Sequence, residues 1–370
     1  MDVRLTELAN LLLTHSISLQ PGEKVYVEYK GSGADSFVEE VIRKIYEYGG
    51  IPFVHHIDKN LKRELLMHCN EDQIKLMSEL SLQEMKQMDC FIGIRSFMNS
   101  CELSGVPAKN MEMFTKLYDH PVHLKERVNH TKWVILQYPT PGFAQAAGMS
   151  TNSFEDFYFK SCIMDYNKLR ESMKPLVDLM FQTDKVRIVG PGTDLRFSIN
   201  GINVVPCYGE RNIPDGEVYT APVKDSIEGV ISYNTPSIYD GYTFENIRFE
   251  FSKGKIVNAT ANNTSRINQI LDTDEGSRFI GEFSLGVNPF IENPMKDTLF
   301  DEKISGSFHF TPGHCYTSAP NGNDSAIHWD LVCIQTSKYG GGEIYFDDVL
   351  VRKDGIFVLD SLKGLNPENY

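Results

Sequence analysis

Apolar segments and helical stretches alternate along roughly the first 150 residues, and this alternation restricts the possible folds more than any other feature of the sequence. Strands are predicted over residues 24–29, 51–57, 90–94 and 132–138. Helices are predicted around them, over residues 5–13, 35–48 and 72–88, from apolar positions at helical spacing. Strands that alternate with helices are typical of a parallel, doubly wound sheet. We therefore expect an α/β N-terminal domain with a mostly parallel sheet over residues 1–183.

The second half of the chain has a different pattern, in which short strands are separated by Gly, Asn and Asp turns. Strands are predicted within residues 186–190, 194–199, 228–234, 247–261 and 343–358. Lys253-Gly254 and Asp354-Gly355 have the composition of hairpin turns. Helices are predicted over residues 154–183, as a connector, and over residues 264–270. We expect a β-rich α+β C-terminal domain over residues 184–370, mostly antiparallel, with the domain boundary near residue 183.

The composition argues against two classes of partner. A net charge of −14 disfavours binding to nucleic acid through its phosphates. No stretch approaches the ~20 apolar residues that a membrane-spanning helix needs, and the first residues lack the apolar core of a signal peptide. The seven cysteines include no CxxC pair and are typical of free thiols in a reducing compartment. We expect a cytoplasmic protein that binds neither nucleic acid nor membrane.

Ionisable residues are concentrated in the segment 300–332, which otherwise consists of small, apolar and turn residues. They include Asp301, Glu302, His309, His314, Tyr316, Asp324, His328 and Asp330. The apolar run 326–334 is predicted to be a strand, which would place the last two of them on the same face. Imidazole and carboxylate are common metal ligands, so this pair would form half of a metal site.

Two glutamates further upstream could complete such a site. Glu217 follows a Pro-Asp-Gly turn at the head of a predicted strand, although a solvated turn glutamate is the better explanation when this motif is taken alone. Glu282 lies in an apolar segment flanked by glycines, where an unpaired carboxylate would be costly. Carboxylates with two histidines suit a pair of divalent ions, which lower the pKa of a shared water and polarise a carbonyl.

Other chemistries have weaker support in the sequence. Gly31-Ser-Gly-Ala could cradle a phosphate, but the chain has neither a complete GxGxxG motif nor a Walker lysine there. Cys315 beside His314 could form a nucleophilic thiol–imidazole pair. Serine-based hydrolysis has less support, because no GxSxG nucleophile elbow is present. His55 and His56 would face opposite ways on a strand, which is poor geometry for a shared metal ion.

Five motifs in order resemble the M29 family of metal-dependent aminopeptidases, the aminopeptidase T group. They are NIPDGEVYTAPV, GEFSLG, LFDEKISGSFHFTPGHCY, IHWDLV and EIYFDDVLVRKDGIFV. Further upstream, PGEKV, YPTPGFAQAAGMS and GPGTDLRFSING extend the resemblance over nearly the whole chain. The family implies an α/β N-terminal domain and a β-rich C-terminal domain that carries two divalent ions.

The resemblance also implies a role for each matching residue. The implied metal ligands are Glu217, Glu282, Glu302, His309, Tyr316, His328 and Asp330, and the implied catalytic residues are Tyr316, Glu282 and Glu302. Whether Glu302 and Tyr316 contact metal directly stays open. The chain departs from the family pattern at Pro312 and His314, which alter the loop between the histidine and the tyrosine, and at Asp348, where Gly is common.

The activity that the resemblance implies is hydrolysis of the N-terminal peptide bond by a water activated by two ions of Zn, Co, Mn or Mg. The expected partners are peptides with a free N-terminus and a second copy of the chain in a homodimer. Two alternatives stay open: another metal-dependent amidohydrolase, and a non-catalytic protein of the same fold that binds metal or a small amine.

Overall fold

The computed structural model describes residues 2–99, 101–239 and 241–370. The helices are α1 (Val3–Leu11), α2 (Asp35–Glu47), α3 (Lys59–His68), α4 (Glu71–Met85), α5 (Ala108–Phe114), α6 (Val128–His130), α7 (Pro141–Ala146), α8 (Thr151–Cys162), α9 (Tyr166–Gln182), α10 (Thr264–Leu271) and α11 (Thr298–Asp301). π-helical segments over Leu12–Ser16 and Thr115–Arg127 extend α1 and α5.

The strands are β1 (Lys24–Gly31), β2 (Ile51–Ile57), β3 (Cys90–Ser96), β4 (Lys132–Gln137), β5 (Lys185–Gly190), β6 (Thr193–Ser198), β7 (Val205–Cys207), β8 (Asn212–Ile213), β9 (Glu217–Thr220), β10 (Glu228–Ser232), β11 (Ser237–Tyr239), β12 (Tyr242–Phe244), β13 (Arg248–Ser252), β14 (Lys255–Thr260), β15 (Ile280–Gly286), β16 (Ser307–Pro312), β17 (Val332–Ile334), β18 (Glu343–Phe346), β19 (Val349–Lys353) and β20 (Ile356–Phe357). Short 3-10 turns near the C-terminus cover Ser337–Tyr339, Asp360–Leu365 and Pro367–Asn369.

The chain forms two compact units. The first comprises residues 1–163 and 209–214, and the second comprises residues 164–208 and 215–370. The division by contacts therefore falls before α9, whereas the boundary predicted near residue 183 lies at the end of that helix.

The first unit contains a five-stranded parallel sheet in the order β2-β1-β3-β4-β8. Its central strands are buried on both faces, as the apolar runs in their sequences require. The predicted parallel α/β arrangement is confirmed. Sequence patterns did not predict α3 or the helical segment over residues 108–130.

The second unit contains two larger sheets that are antiparallel throughout. One has eight strands in the order β14-β13-β10-β6-β5-β18-β19-β20, and the other has five in the order β17-β16-β15-β9-β7. Every residue of β15 and β16 is buried. Phe197 of β6 lies against Phe283 and Phe310 of these two strands, with ring centroids 5.0 and 5.1 Å apart, so aromatic side chains fill the space between the sheets.

Two predicted elements were wrong in detail. The single helix expected over residues 154–183 is two helices, because Asp165 caps the start of α9 by accepting a hydrogen bond from the Lys168 backbone N–H. The strand expected over residues 326–334 is formed only as β17, from Val332 onward. The hairpins predicted at Lys253-Gly254 and Asp354-Gly355 are confirmed.

No helix within the described ranges combines the length and the apolar character that crossing a bilayer requires.

Replacing Phe310 by alanine should lower the free energy of unfolding by about 3–5 kcal/mol, because a fully buried ring is lost from the contact between the two sheets. Calorimetric unfolding of chelator-treated protein provides the measurement. Phe181→Ala is the matched control, since that ring is 65 % exposed and its loss should cost less than about 0.5 kcal/mol. Equal losses in the two variants would contradict this account of the core.

Candidate metal centre

Three neighbouring strands of the five-stranded antiparallel sheet in the second unit present ionisable side chains on one face. Ser284 of β15 lies opposite His309 of β16 and Tyr219 of β9. Directly opposed residues in an antiparallel sheet share a face, and so do residues two apart on one strand. Glu282 on β15 and Glu217 on β9 therefore lie on the same face as His309. Pairing of the strands brings together positions that are far apart in the sequence.

His309 lies between two buried glutamates. Its Nε2 is 3.0 Å from Glu282 Oε1 and 3.3 Å from Glu217 Oε2. The Ser284 hydroxyl donates a hydrogen bond of 2.9 Å to Glu217 Oε2 and fixes that carboxylate. Burial alone would lower the pKa of His309, but the carboxylates of Glu217 and Glu282 raise it to about 9. The two glutamates thus favour a positive charge at this position, either on the imidazole itself or on an ion beside it.

His328 and Asp330 face the same carboxylate from the other side. His328 Nε2 is 3.2 Å from Asp330 Oδ1 and 3.3 Å from Glu282 Oε2, and Thr311 donates a hydrogen bond of 2.8 Å to Asp330. His328 Nδ1 lies 2.8 Å from the carbonyl oxygen of His314, which can only accept, so Nδ1 carries a proton. The expected orientation of His328 and Asp330 toward one face is seen, although the backbone there is not a continuous strand.

The His328 Nε2 atom is buried and forms no hydrogen bond with the described part of the chain, despite the two carboxylates beside it. In a neutral ring this nitrogen carries a lone pair directed at negative oxygens, which is unfavourable unless a proton or a metal ion lies between them. Nδ1 bound to a carbonyl is also the arrangement that orients metal-binding histidines. The donor atoms therefore fit a divalent cation.

Four triplets of ligand atoms lie within 4.8 Å of one another and could each hold an ion. They are Glu217, Glu282 and His309; Glu282, His328 and Asp330; Glu302, His309 and Asp330; and Cys207, Asp215 and Glu217. Six of the seven predicted ligands occur in these sets. Oxygen and imidazole donors without a dominant thiolate suit Zn, Co or Mn.

Lys303 was not among the site residues predicted from the sequence. Its fully buried ammonium group lies among carboxylates. Its Nζ is 2.5 Å from Glu217 Oε1, 2.5 Å from Glu302 Oε1 and 3.7 Å from Asp215 Oδ1. Burial alone would lower the pKa of Lys303, but these carboxylates raise it well above its usual value. Three charged residues in a row, Asp301 to Lys303, resemble a solvated turn, and only their apolar surroundings in the sequence hinted at burial.

Glu302 differs from the other carboxylates in its protonation. Burial and the nearby carboxylates of Glu217 and Asp330 raise its pKa to about 8, even though Lys303 lies beside it and acts to lower it. In the metal-free protein, Glu302 therefore gains or loses a proton near neutral pH, which suits a general acid or base.

Tyr316 lies at the open side of the cluster and is 44 % exposed. Its ring centroid is 4.7 Å from that of His328 and 5.7 Å from that of Tyr219. Partial burial and the carboxylates of Glu282 and Asp330 raise the pKa of its phenol well above the usual value, so the hydroxyl group stays protonated and can donate.

Two glycines around Glu282 allow neighbouring backbone to approach β15 closely. A Cβ atom at Gly281 would lie 2.2 Å from the carbonyl oxygen of His314, and one at Gly286 would lie 2.4 Å from that of Ile304. The His314 carbonyl is the group that holds His328. The glycines thus permit the packing that places the histidine beside Glu282.

Cys315 and His314 do not form the thiol–imidazole pair considered from the sequence. The Cys315 thiol donates to the carbonyl oxygen of Asn323 at 3.1 Å, and His314 Nδ1 lies 3.0 Å from Asp324 Oδ1. Pro312 ends β16 and accepts a hydrogen bond from the Trp329 backbone. Pro312 and His314 thus both supply backbone carbonyls that hold the segment carrying His328.

Comparison with known proteins identifies the family. The family described as Thermophilic metalloprotease (M29) matches residues 1–355. The chain belongs to the M29 family. The predicted resemblance is confirmed, and membership makes this chain a metalloprotease, a class of enzyme that depends on divalent metal ions.

Individual M29 proteins are similar over nearly the full length. Aminopeptidase 2 of Geobacillus stearothermophilus is 30 % identical, with 96 % of this chain and 95 % of the relative covered. Aminopeptidase PepS of Streptococcus thermophilus is 23 % identical, with 88 % of this chain and 87 % of the relative covered. The structure of wild-type AmpT from Thermus thermophilus superposes with a TM-score of 0.82 at 22 % identity, covering 96 % of this chain and 99 % of AmpT, which confirms the fold.

Replacing Lys303 by methionine should destabilise the chelator-treated protein by about 3–5 kcal/mol, because buried carboxylates would lose the cation that neutralises them. Thermal and denaturant unfolding measure the loss. Lys75→Met is the matched control: that lysine is exposed and pairs with Glu71 on the surface, so its loss should have little effect on stability. If Lys303→Met unfolds like Lys75→Met, the ammonium group does not hold the cluster together.

Proposed function

We propose that this M29 metalloprotease is an aminopeptidase that hydrolyses the N-terminal peptide bond of peptides with two divalent metal ions. The proposed ligands are Glu217, Glu282, Glu302, His309, His328 and Asp330, with Tyr316 as a further ligand or a catalytic group. The observation that carries the proposal is the position of Glu282 between two imidazoles. Oε1 is 3.0 Å from His309 Nε2, and Oε2 is 3.3 Å from His328 Nε2.

A carboxylate whose two oxygens face different histidines is suited to bridge two ions. Bridged ions in hydrolytic enzymes lie about 3.5–4 Å apart, a separation that one carboxylate can span. The ions would then have separate further donors, Glu217 with His309 on one side and Asp330 with His328 on the other. The overlap of two ligand triplets at Glu282 supports two ions over a single ion.

The relatives support the choice of substrate. Aminopeptidase 2, PepS and aminopeptidase T all carry the aminopeptidase name, and each is similar to this chain over most of its length. We therefore propose peptides with a free N-terminus as substrates. From the family, we also propose that the protein is a homodimer. From the seven cysteines, we propose that it works in a reducing cytoplasm.

The residues of the cluster have distinct proposed tasks. Divalent ions, when bound, supply Lewis-acid polarisation of the scissile carbonyl and lower the pKa of a water. Glu302, a buried carboxylate beside the proposed ligands, would accept the proton of the attacking water and pass it to the leaving amine. Glu282, which faces both His309 and His328, would chiefly hold the ions. Tyr316 donates a hydrogen bond to the developing oxyanion.

Removal and replacement of metal test this proposal. Chelator-stripped protein should be inactive on aminoacyl chromogenic amides, and activity should return with Zn, Co, Mn or Mg as about two ions bind per chain. The measurements are equilibrium dialysis with metal analysis and hydrolysis of a panel of aminoacyl amides. His328→Ala and Glu217→Ala should each lose metal and activity together, because each removes a donor from a different proposed ion.

N-acetylated versions of the same amides discriminate between kinds of hydrolase. An aminopeptidase needs the free amine and should leave them intact. Cleavage of acetylated and free substrates at similar rates would instead indicate another metal-dependent amidohydrolase. Tight binding of metal without turnover of any aminoacyl or peptide substrate would indicate a non-catalytic binding protein.

Tyr316→Phe should lower kcat by about 10²–10³-fold and leave metal content unchanged, because only the hydroxyl group that stabilises the oxyanion is removed. Metal analysis of the purified variant, alongside kcat and KM, separates this role from that of a ligand. Tyr219→Phe is the matched control, since its hydroxyl is hydrogen-bonded to Ser318 at 2.6 Å. A normal rate in Tyr316→Phe would remove Tyr316 from the chemical step, and loss of metal would make it a ligand.

A further inference from the structure

The first unit contains a cavity of about 500 Å³ that the proposed function does not use. It lies on the face of the parallel sheet formed by β1 and β2, and it is bordered by α3, α4 and the π-helical segment 115–127. Two apolar clusters border it, one containing Tyr26 and the other containing Phe114. Its volume falls in the ~300–1,000 Å³ range of small-molecule sites.

Paired charges form the floor of this cavity. Glu28 of β1 is almost fully buried, and its carboxylate is 2.6 Å from Lys30 Nζ and 3.9 Å from His123 Nε2. His55 of β2 lies 2.9 Å from Glu84. Lys30 pairs with Glu28, and the imidazoles of His123 and His55 face Glu28 and Glu84, so the charged groups of the floor have partners within the protein.

Two further charged groups line the cavity without such a close ion pair. Lys62 of α3 places its Nζ 4.3 Å from the centre of the Phe114 ring, and Asp119 lies in the π-helical segment 115–127. Within the described residues, neither has an ion-pair partner within 4.0 Å. Burial lowers the pKa of Lys62 and raises that of Asp119, although the two groups attract each other, so the protein compensates each charge only in part.

Apolar side chains line the rest of the enclosure. Leu61 and Leu65 of α3, Met77 of α4 and Phe114 are among the apolar side chains that line the cavity. A site with convergent polar groups among apolar and aromatic walls is typical of small-ligand pockets. The arrangement combines one cation, one anion and an apolar surface in a single cavity.

We propose that this cavity binds a free α-amino acid with an apolar side chain. The ligand carboxylate would pair with Lys62, its ammonium with Asp119, and its side chain would lie against the leucines and Phe114. An anion such as phosphate would compensate Lys62 but bring negative charge toward Asp119 and Glu28. A simple cation would compensate Asp119 but bring positive charge toward Lys62. A zwitterion satisfies both groups. The inference depends on this cavity alone and not on the proposed function.

The test is titration of the full-length, chelator-treated protein with L-leucine. The methyl group of Met77, labelled with ¹³C and assigned through Met77→Leu, reports on the cavity by NMR, and calorimetry gives Kd. We expect a saturable shift of this resonance and an affinity at least about tenfold weaker in Lys62→Met and in Asp119→Asn, because each variant removes one of the two charges that the ligand needs. N-acetyl-L-leucine and L-leucinamide, which each lack one ligand charge, should bind similarly weakly.

Matched variants separate this site from the metal centre. Lys75→Met on exposed α4 and His309→Ala in the candidate centre should both bind L-leucine as the wild type does, and Lys62→Met should retain its hydrolytic rate. Unchanged leucine affinity in both Lys62→Met and Asp119→Asn would overturn the proposal, as would the absence of any Met77 shift at millimolar leucine. Phosphate or N-acetyl-L-leucine binding as tightly as leucine would replace the zwitterion with a simple anion.

Discussion

The compensation of buried negative charge by Lys303 is the interaction on which the second unit depends. Asp215, Glu217 and Glu302 converge on one fully buried ammonium group and are themselves largely buried. Carboxylates so close together repel one another strongly unless a cation lies between them. Lys303 supplies one positive charge to three carboxyl groups, while burial and the carboxylates of Glu217 and Asp330 raise the pKa of Glu302 to about 8. The carboxylates that are costly to bury are also the donors that we propose for divalent ions.

The alternation of side chains along β16 separates this charge from the core. His309 and Thr311 point toward the carboxylates, while Phe308 and Phe310 point toward the other sheet. The aromatic residues of the strand pack against the other sheet and fix its position. The same packing therefore fixes the positions of His309 and Thr311 on the polar face. A site built on paired strands is positioned more precisely than one built on loops. The part that rests on loop residues, His328 and Asp330, is secured instead by the His314 carbonyl and the Thr311 hydroxyl.

Much of this architecture could be predicted from the sequence, because strands β1 to β4 and the hairpins follow from apolar patterns and turn residues. The order of motifs gave the family and the seven candidate residues. The buried role of Lys303 could not be predicted, since it depends on the pairing of β9 with β15 and on the turn that follows α11. The same limit applies to residues 326–331, where contacts with β16 and the close approach at Gly281 replace the expected ladder. Patterns in a sequence predict single helices and strands, whereas the charge of a site depends on which elements pack together in the fold.

The wide spacing of the cluster has a consequence for how the protein is made. Its members extend from Glu217 to Asp330, and their convergence needs β9, β15 and β16 to be paired. No fragment that ends before Asp330 holds the full set of donors. During synthesis, the candidate centre can therefore assemble only after Asp330 has been added and the last strands of this sheet are available. The pairing order of the sheet, and not any one segment, sets when the complete set of donors forms.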